Sequence, residues 1–164
     1  MKISELKDAP IWLRCAGTEN EDVEIINGMV VWKSGTWSYG TWKDGLWKYG
    51  VWEGGIWENG RWENGLWRNG TWKAGEWIDG KWENGFWEYG WWNDGVWMDG
   101  EWMDGSWSDG FWKDGIWKDG VWKDGIWMDG EWMDGKWVDG WWLNGEWING
   151  TWLGGVCKDE NIRN

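Results

Sequence analysis

One large apolar residue returns at every fifth position from Val31 to Gly155, set among small, polar and mixed neighbours. The phrase is x-Trp-x-x-Gly, and it recurs 25 times without insertion, as in Thr41-Trp42-Lys43-Asp44-Gly45 and Val121-Trp122-Lys123-Asp124-Gly125. A period of five fits neither the 3.6 of an α-helix nor a heptad, and a glycine in every phrase would cost a helix about 1 kcal/mol each. Asp-Gly or Asn-Gly ends most phrases, which is a turn signal. The unit is therefore a three-residue extended segment followed by a corner. A strict short period marks a repeat architecture, in which each unit buries its apolar side by stacking on its neighbours.

Two β arrangements can carry such a unit. Trp62-Glu63-Asn64-Gly65-Leu66-Trp67 resembles the designed tryptophan-zipper hairpins. A chain of these fails on geometry. The residues flanking a two-residue turn must both exchange hydrogen bonds across it. In Glu101-Trp102-Met103, Glu101 would have to bond to the previous strand and Met103 to the next, yet residues two apart in a strand point the same way. The alternative is a β-solenoid, with hydrogen bonds between successive coils, all Trp inward and the polar positions outward.

In that frame Gly120-Val121-Trp122-Lys123-Asp124 resembles the repeat of the pentapeptide-repeat proteins, with glycine in their small slot and Trp in their large central slot. The resemblance covers about three-quarters of the chain and implies an all-β, single-stranded solenoid, right-handed and four-sided. It departs in both key slots, where the family carries Ala or a similar residue and Leu or Phe. The Gly-x-Trp-x-x-Gly phrase is also similar to MORN hairpin repeats, but their longer period and other glycines are missing.

Volume and charge disagree on the number of sides. Five extended residues span at most ~16 Å and coils stack ~4.8 Å apart, so a triangle encloses ~530 Å³ per coil and a square ~1,200 Å³. An indole needs roughly 160 Å³ at interior density. Three indoles overfill a triangle once its backbone is counted, and four suit a square, which predicts about six coils and a rod roughly 30 Å long. Opposite charges just after Trp meet more often at a fifteen-residue lag, as in Glu58/Lys73 and Arg68/Glu83, than at twenty. Packing decides for four sides. Each inward indole N–H then needs an acceptor, for which a backbone carbonyl lining the core is expected.

The period fails at both ends, which divides the chain into a cap (residues 1–30), a solenoid (31–155) and a closing half-repeat with a polar tail (156–164). In the cap, Ile3, Leu6, Trp12 and Leu13 can line one side of a short helix or turn around Pro10. Val23-Glu24-Ile25-Ile26 and Met29-Val30-Val31 flank Asn27-Gly28 like a hairpin. Cys157 takes the next Trp position and should point inward, with Cys15 at the other end of the rod, too far for a disulfide.

Composition adds the exterior. The 164 residues include 28 Trp and 29 Gly, no His, and a net charge of −13, which suits an indole core inside an acidic skin. The absence of His and the uniform carboxylates leave no nucleophile–base set, so no enzyme and no cofactor are expected. No apolar run has signal-peptide or membrane length, which predicts a cytoplasmic protein with no membrane partner. Before each Trp, several outward positions are apolar. Under four sides, residues twenty apart stack, so Leu46, Leu66 and Phe86 form one column and Trp91 and Phe111 lie in the next; with Trp141 these are the candidate partner surface. Ten consecutive corners from Asp94 to Asp139 are Asp. In a four-sided rod Asp99, Asp119 and Asp139 would stack and offer weak surface binding to divalent cations.

The leading functional expectation is a non-catalytic scaffold or assembly rod, binding a protein partner or itself. The phrase also resembles tryptophan-rich repeat reading frames of bacteriophages, which implies a virion or accessory role. The pentapeptide-repeat resemblance implies an alternative, a DNA-mimicking decoy of an enzyme such as gyrase that does not itself bind nucleic acid. A third reading is a glycan-binding rod using outward Trp91 and Trp141.

Overall fold

The computed structural model describes residues 1–158. It is a parallel β-solenoid preceded by a small cap. From Thr41 onward only the pair x-Trp of each phrase is paired strand, for example Val121–Trp122, and the following residues make the corner. Inter-coil bonds are regular. Val121 N–H donates to the Gly105 carbonyl at 2.9 Å and Lys123 N–H to the Trp107 carbonyl at 2.9 Å, so each repeat is tied to the coil before it on both sides of its Trp.

The coil is three repeats, not four. Trp107 pairs in parallel with Trp122, and Trp122 with Trp137, a register of fifteen residues that holds along the whole array. The 25 repeats thus make about eight coils, a rod roughly 40 Å long at ~4.8 Å per coil. Room for three indoles comes from the corners. A Cβ built on Gly125 would lie 3.3 Å from Trp107 Nε1 and 2.6 Å from the Gly110 carbonyl oxygen. The Nε1–Cζ2 edge of each indole runs into the room that a corner side chain would fill, so the usable interior is wider than a wall of ordinary residues would leave. Three indoles then fit.

Ring geometry bears out the threefold arrangement independently. Down a column, Trp107 and Trp122 stack with centroids 4.8 Å apart and planes 7° from parallel. Planes in contact are ~3.5 Å apart, so the rings are offset and their normals lean about 43° from the column direction. Three rings with that lean, a third of a turn apart, meet at about 72°; four at quarter-turns would meet at about 58°. Trp102 and Trp107, neighbours within a coil, meet at 74° with centroids 6.0 Å apart. Every inward indole, at each fifth position from Trp32 to Trp142, is fully buried.

The expected acceptor for the indole N–H is not used. The Nε1 atoms of the 23 inward indoles from Trp32 to Trp142 have no hydrogen-bond partner. Carbonyls on the core wall, those of Trp and Gly, already accept from the next coil, and the N–H edge faces the corner beside them. Leaving a buried donor unpaired costs about 1–3 kcal/mol. Edge-to-face indole contacts and the backbone ladders offset it.

The cap follows the sequence pattern closely. Strand β1 (Gly17–Ile26) runs antiparallel to β2 (Met29–Tyr39), with Ile26 opposite Met29 across an Asn27-Gly28 turn in which both residues have positive φ, 52° and 82°. β2 is also the first stretch of the solenoid wall, so cap and solenoid share a strand, and β1 covers the edge of the first coil through Val23 opposite Trp32 and Thr18 opposite Trp37. Helix α1 (Ile11–Arg14) sets Trp12 edge-on against Trp42 at 5.2 Å, closing the open end of the indole stack. Ile3, Leu6 and the helix's own Leu13 are buried. Arg14 Nε donates to the Ala9 carbonyl at 2.8 Å and holds the Pro10 bend. At the other end Cys157 is buried in register with Trp142, while Trp147 and Trp152 are half-buried. The rest of the closing half-repeat and the polar tail, residues 159–164, lie outside the described residues. No helix among the described residues is long and apolar enough to cross a membrane.

Candidate interaction surface

Three repeats per coil give three faces and three corner columns, and everything chemically distinctive lies on them. The first face begins at Val31-Trp32, the second at Thr36-Trp37 and the third at Thr41-Trp42. The fifteen-residue register redistributes the expected partner surface. Leu46 and Trp91 fall on the first face, Leu66, Phe111 and Trp141 on the second, and Phe86 on the third. The lag-twenty columns therefore do not exist. Trp91 and Trp141 stand on different faces, so they do not form one aromatic platform for a glycan.

A different strip forms in their place. On the second face Val96 pairs with Phe111, Phe111 with Ile126, Ile126 with Trp141, and Trp141 with Val156. This ladder is unbroken over five coils, and it is exposed where the side chains are largest: Phe111 47%, Trp141 48%. On the far side of each inward Trp the same face carries Met98, Lys113, Met128 and Leu143. Leu66 and Val51 continue the strip toward the cap, interrupted by Lys81. The other faces mix charge into the same position: Arg61 and Glu76 on the first, Glu101 and Glu131 on the third.

The corners are acidic columns. Each Asp from 94 to 139 turns one carboxylate oxygen onto the N–H of the glycine that follows, as in Asp109 to Gly110 at 2.6 Å and Asp119 to Gly120 at 2.7 Å. This local bond explains why the position is Asp or Asn. Asp99, Asp119 and Asp139 sit on three separate corners, so the proposed cation stack among them is overturned by the register. The columns are instead Asp94/Asp109/Asp124/Asp139, Asp99/Asp114/Asp129 and Asp104/Asp119/Asp134, one coil apart. Across coils, Asn144 Nδ2 donates to Asp129 at 3.2 Å and Asn149 Nδ2 to Asp134 at 3.1 Å, relieving the column at its end. Among the described residues no group of three or more His, Cys, Asp or Glu is placed to hold a metal ion.

The first two of these columns border the apolar second face on its two sides. Beside the second column a surface groove opens onto the third face, lined by Asp99, Asp114 and Asp129 with Ile116, Glu131 and Glu146. Ion pairs are few on the rod itself: Arg61–Glu76 at 3.4 Å and Arg68–Glu53 at 3.2 Å, both one coil apart, with Lys118–Glu101 at 2.9 Å and Lys81–Glu83 at 3.0 Å. The acidic second half is largely uncompensated. Fold and surface together define a five-residue-repeat parallel β-solenoid with a tryptophan core. No protein-family model, no curated protein and no solved structure matches the chain.

Proposed function

We propose that this protein is a non-catalytic structural or interaction rod, a rigid spacer that offers its faces to a protein partner or to itself. The observation that carries this reading is the unbroken apolar ladder from Val96 to Val156 on one outward face, above a core already filled by buried indoles. A monomeric soluble surface rarely keeps such a strip without a contact to make. The likeness of its repeat to bacteriophage tryptophan-rich reading frames supports a virion or accessory setting. Proximity cross-linking in cells that make the protein, combined with sedimentation of the purified chain, tests this. A stoichiometric protein partner or self-association supports the reading. A rod that stays monomeric and cross-links to nothing overturns it.

A second reading, the DNA-mimicking decoy, is favoured by one number. Residues 94–140 carry 12 acidic and 4 basic side chains, a net −8. Over about three coils, or ~15 Å, this is one charge per ~1.9 Å, against ~1.7 Å in duplex DNA. Inhibition of gyrase supercoiling by the purified rod, relieved by salt, supports it. No inhibition at a hundredfold molar excess removes it.

A further inference from the structure

The apolar ladder of the second face can be assigned an occupant, on the reading that the rod is an interaction surface. Three features of the face select it. The first is charge. Asp94, Asp109 and Asp124 run along one border and Asp99, Asp114 and Asp129 along the other, each column at the coil spacing, while the face itself contributes only Lys113 against them over the same coils. A second copy docked face to face would bring acidic borders against acidic borders, which argues against self-pairing here. A cationic partner is complementary on both sides at once.

The second feature is the backbone. Along the side of a solenoid the N–H and C=O groups are spent between coils: Phe111 N–H on the Gly95 carbonyl, Lys113 N–H on the Trp97 carbonyl, Ile126 N–H on the Gly110 carbonyl, all at 2.9 Å. An added β-strand would find no free ladder on this face, so recognition must run through side chains alone. The third feature is spacing. Phe111, Ile126 and Trp141 repeat at one coil, ~4.8 Å, close to the ~5.4 Å rise of one α-helical turn. An α-helix ~10–12 Å across lies within a face at most ~16 Å wide.

We infer that the second face, from Val96 to Val156, is a docking site for an amphipathic α-helix of a partner protein, with an apolar stripe seated on Phe111, Ile126 and Trp141 and Lys or Arg on both flanks meeting the two aspartate columns. The helix lies along the rod. Its apolar residues at successive turns meet successive coils, and its basic flanks give the complex a marked salt dependence.

A fluorescein-labelled 18-residue peptide of Leu and Lys, patterned as an amphipathic helix, is the probe. Its scrambled isomer of equal charge is the control, and anisotropy is read at 50 and 300 mM NaCl with the full-length protein. The patterned peptide is expected to bind at least tenfold more tightly than the scrambled one. Phe111→Ser with Trp141→Ser should weaken it tenfold or more, and Asp109→Asn with Asp114→Asn should weaken it and flatten its salt dependence. Trp91→Ser, on the first face, should leave it unchanged. Near-UV circular dichroism of each variant checks that the indole stack is intact. Equal binding of the two peptides, or an unchanged Kd in Phe111→Ser/Trp141→Ser, overturns the assignment. So does sedimentation showing that the rod dimerises and that this double variant makes it monomeric; that result would seat a second copy on the face and leave the interaction-rod reading standing. Absence of any partner in cross-linking would instead sink that reading itself, whatever the peptide does.

Discussion

Trp107 is stacked on Trp122, with ring centroids 4.8 Å apart and planes 7° from parallel, and on its other side it is stacked on Trp92 at 4.7 Å. Trp102 and Trp112 meet it edge-on within the coil, each at 74°. Four indoles grip one. Truncation leaves a cavity that none of them can fill without leaving its own stack, so Trp107→Ala is expected to cost about 3–5 kcal/mol. Lys113→Ala, on the exterior, should cost under about 0.5 kcal/mol. Urea denaturation of the two variants checks this, and equal midpoints would refute the inward-Trp core.

Gly120 combines two constraints. Its φ of +122° lies where a side chain is strained, and a Cβ there would stand 2.6 Å from the Gly105 carbonyl oxygen and 3.0 Å from the Gly105 nitrogen. Both obstacles are backbone and cannot swing away. Gly120→Val should therefore lower Tm far more than Val121→Ala, whose side chain is on the outer wall. Even Gly120→Ala should be clearly destabilising. Retention of wild-type Tm in Gly120→Val would mean that the corner is built differently.

Asp109 separates two opposing effects. Its Oδ1 accepts from Gly110 N–H at 2.6 Å, while Asp94 and Asp124 lie one coil to either side in the same column. Asp109→Asn keeps the acceptor and removes the repulsion, so Tm should rise slightly; Asp109→Ala loses the acceptor and Tm should fall. The gain in the Asn variant should shrink in 0.5 M NaCl, since surface repulsion is screened. A lower Tm for Asp109→Asn would show that the carboxylate charge itself strengthens the turn.

Two charged contacts make the cap sensitive to pH. The N-terminal ammonium of Met1, hydrogen-bonded to Asp22, holds the Asp22 carboxyl below its usual range. Its contribution is present above the unfolded value and is lost as pH falls through the depressed folded one. Glu24, 2.6 Å from the Lys33 ammonium, raises the Lys33 value, so that contribution is present below the unfolded value and is lost as pH rises through the raised one. Hydrogen exchange of β1 amides, corrected for intrinsic rates, should show best protection between these limits. In Asp22→Asn the acid-side loss should shrink, and an unchanged acid limb would show that other carboxylates govern it.

Much of the architecture was legible from Trp and Gly alone. Trp flanked by outward residues points inward, Asx-Gly makes the corner, and Asn27-Gly28 makes the cap hairpin, because each is a local rule of backbone and pleat. The coil size is a non-local quantity, and there the volume estimate misled. It gave every wall position ordinary thickness, although Gly125 and its equivalents lend their missing side-chain room to the indoles. The weaker signal, opposite charges fifteen apart, was the correct one, as Arg61–Glu76 and Arg68–Glu53 show. That single number decided the exterior. With it, Phe111 and Trp141 share a face with Ile126; a register of twenty would instead stack Phe111 on Trp91, which belongs to the first face.

The threefold coil gives the inside and the outside of this rod different arithmetic. The core counts in fives, because any phrase can stand on any other with Trp over Trp and Gly over Gly. The surface counts in fifteens, because only every third phrase returns to the same face. Excising one phrase from the middle, such as residues 106–110, would leave the indole columns continuous while dealing every later outward residue to a neighbouring face, so that Phe111 would no longer sit above Val96. Excising three would shorten the rod by one coil and restore the order. A chain built this way can change length by single phrases without endangering its fold, and each such change reshuffles what it shows to the world.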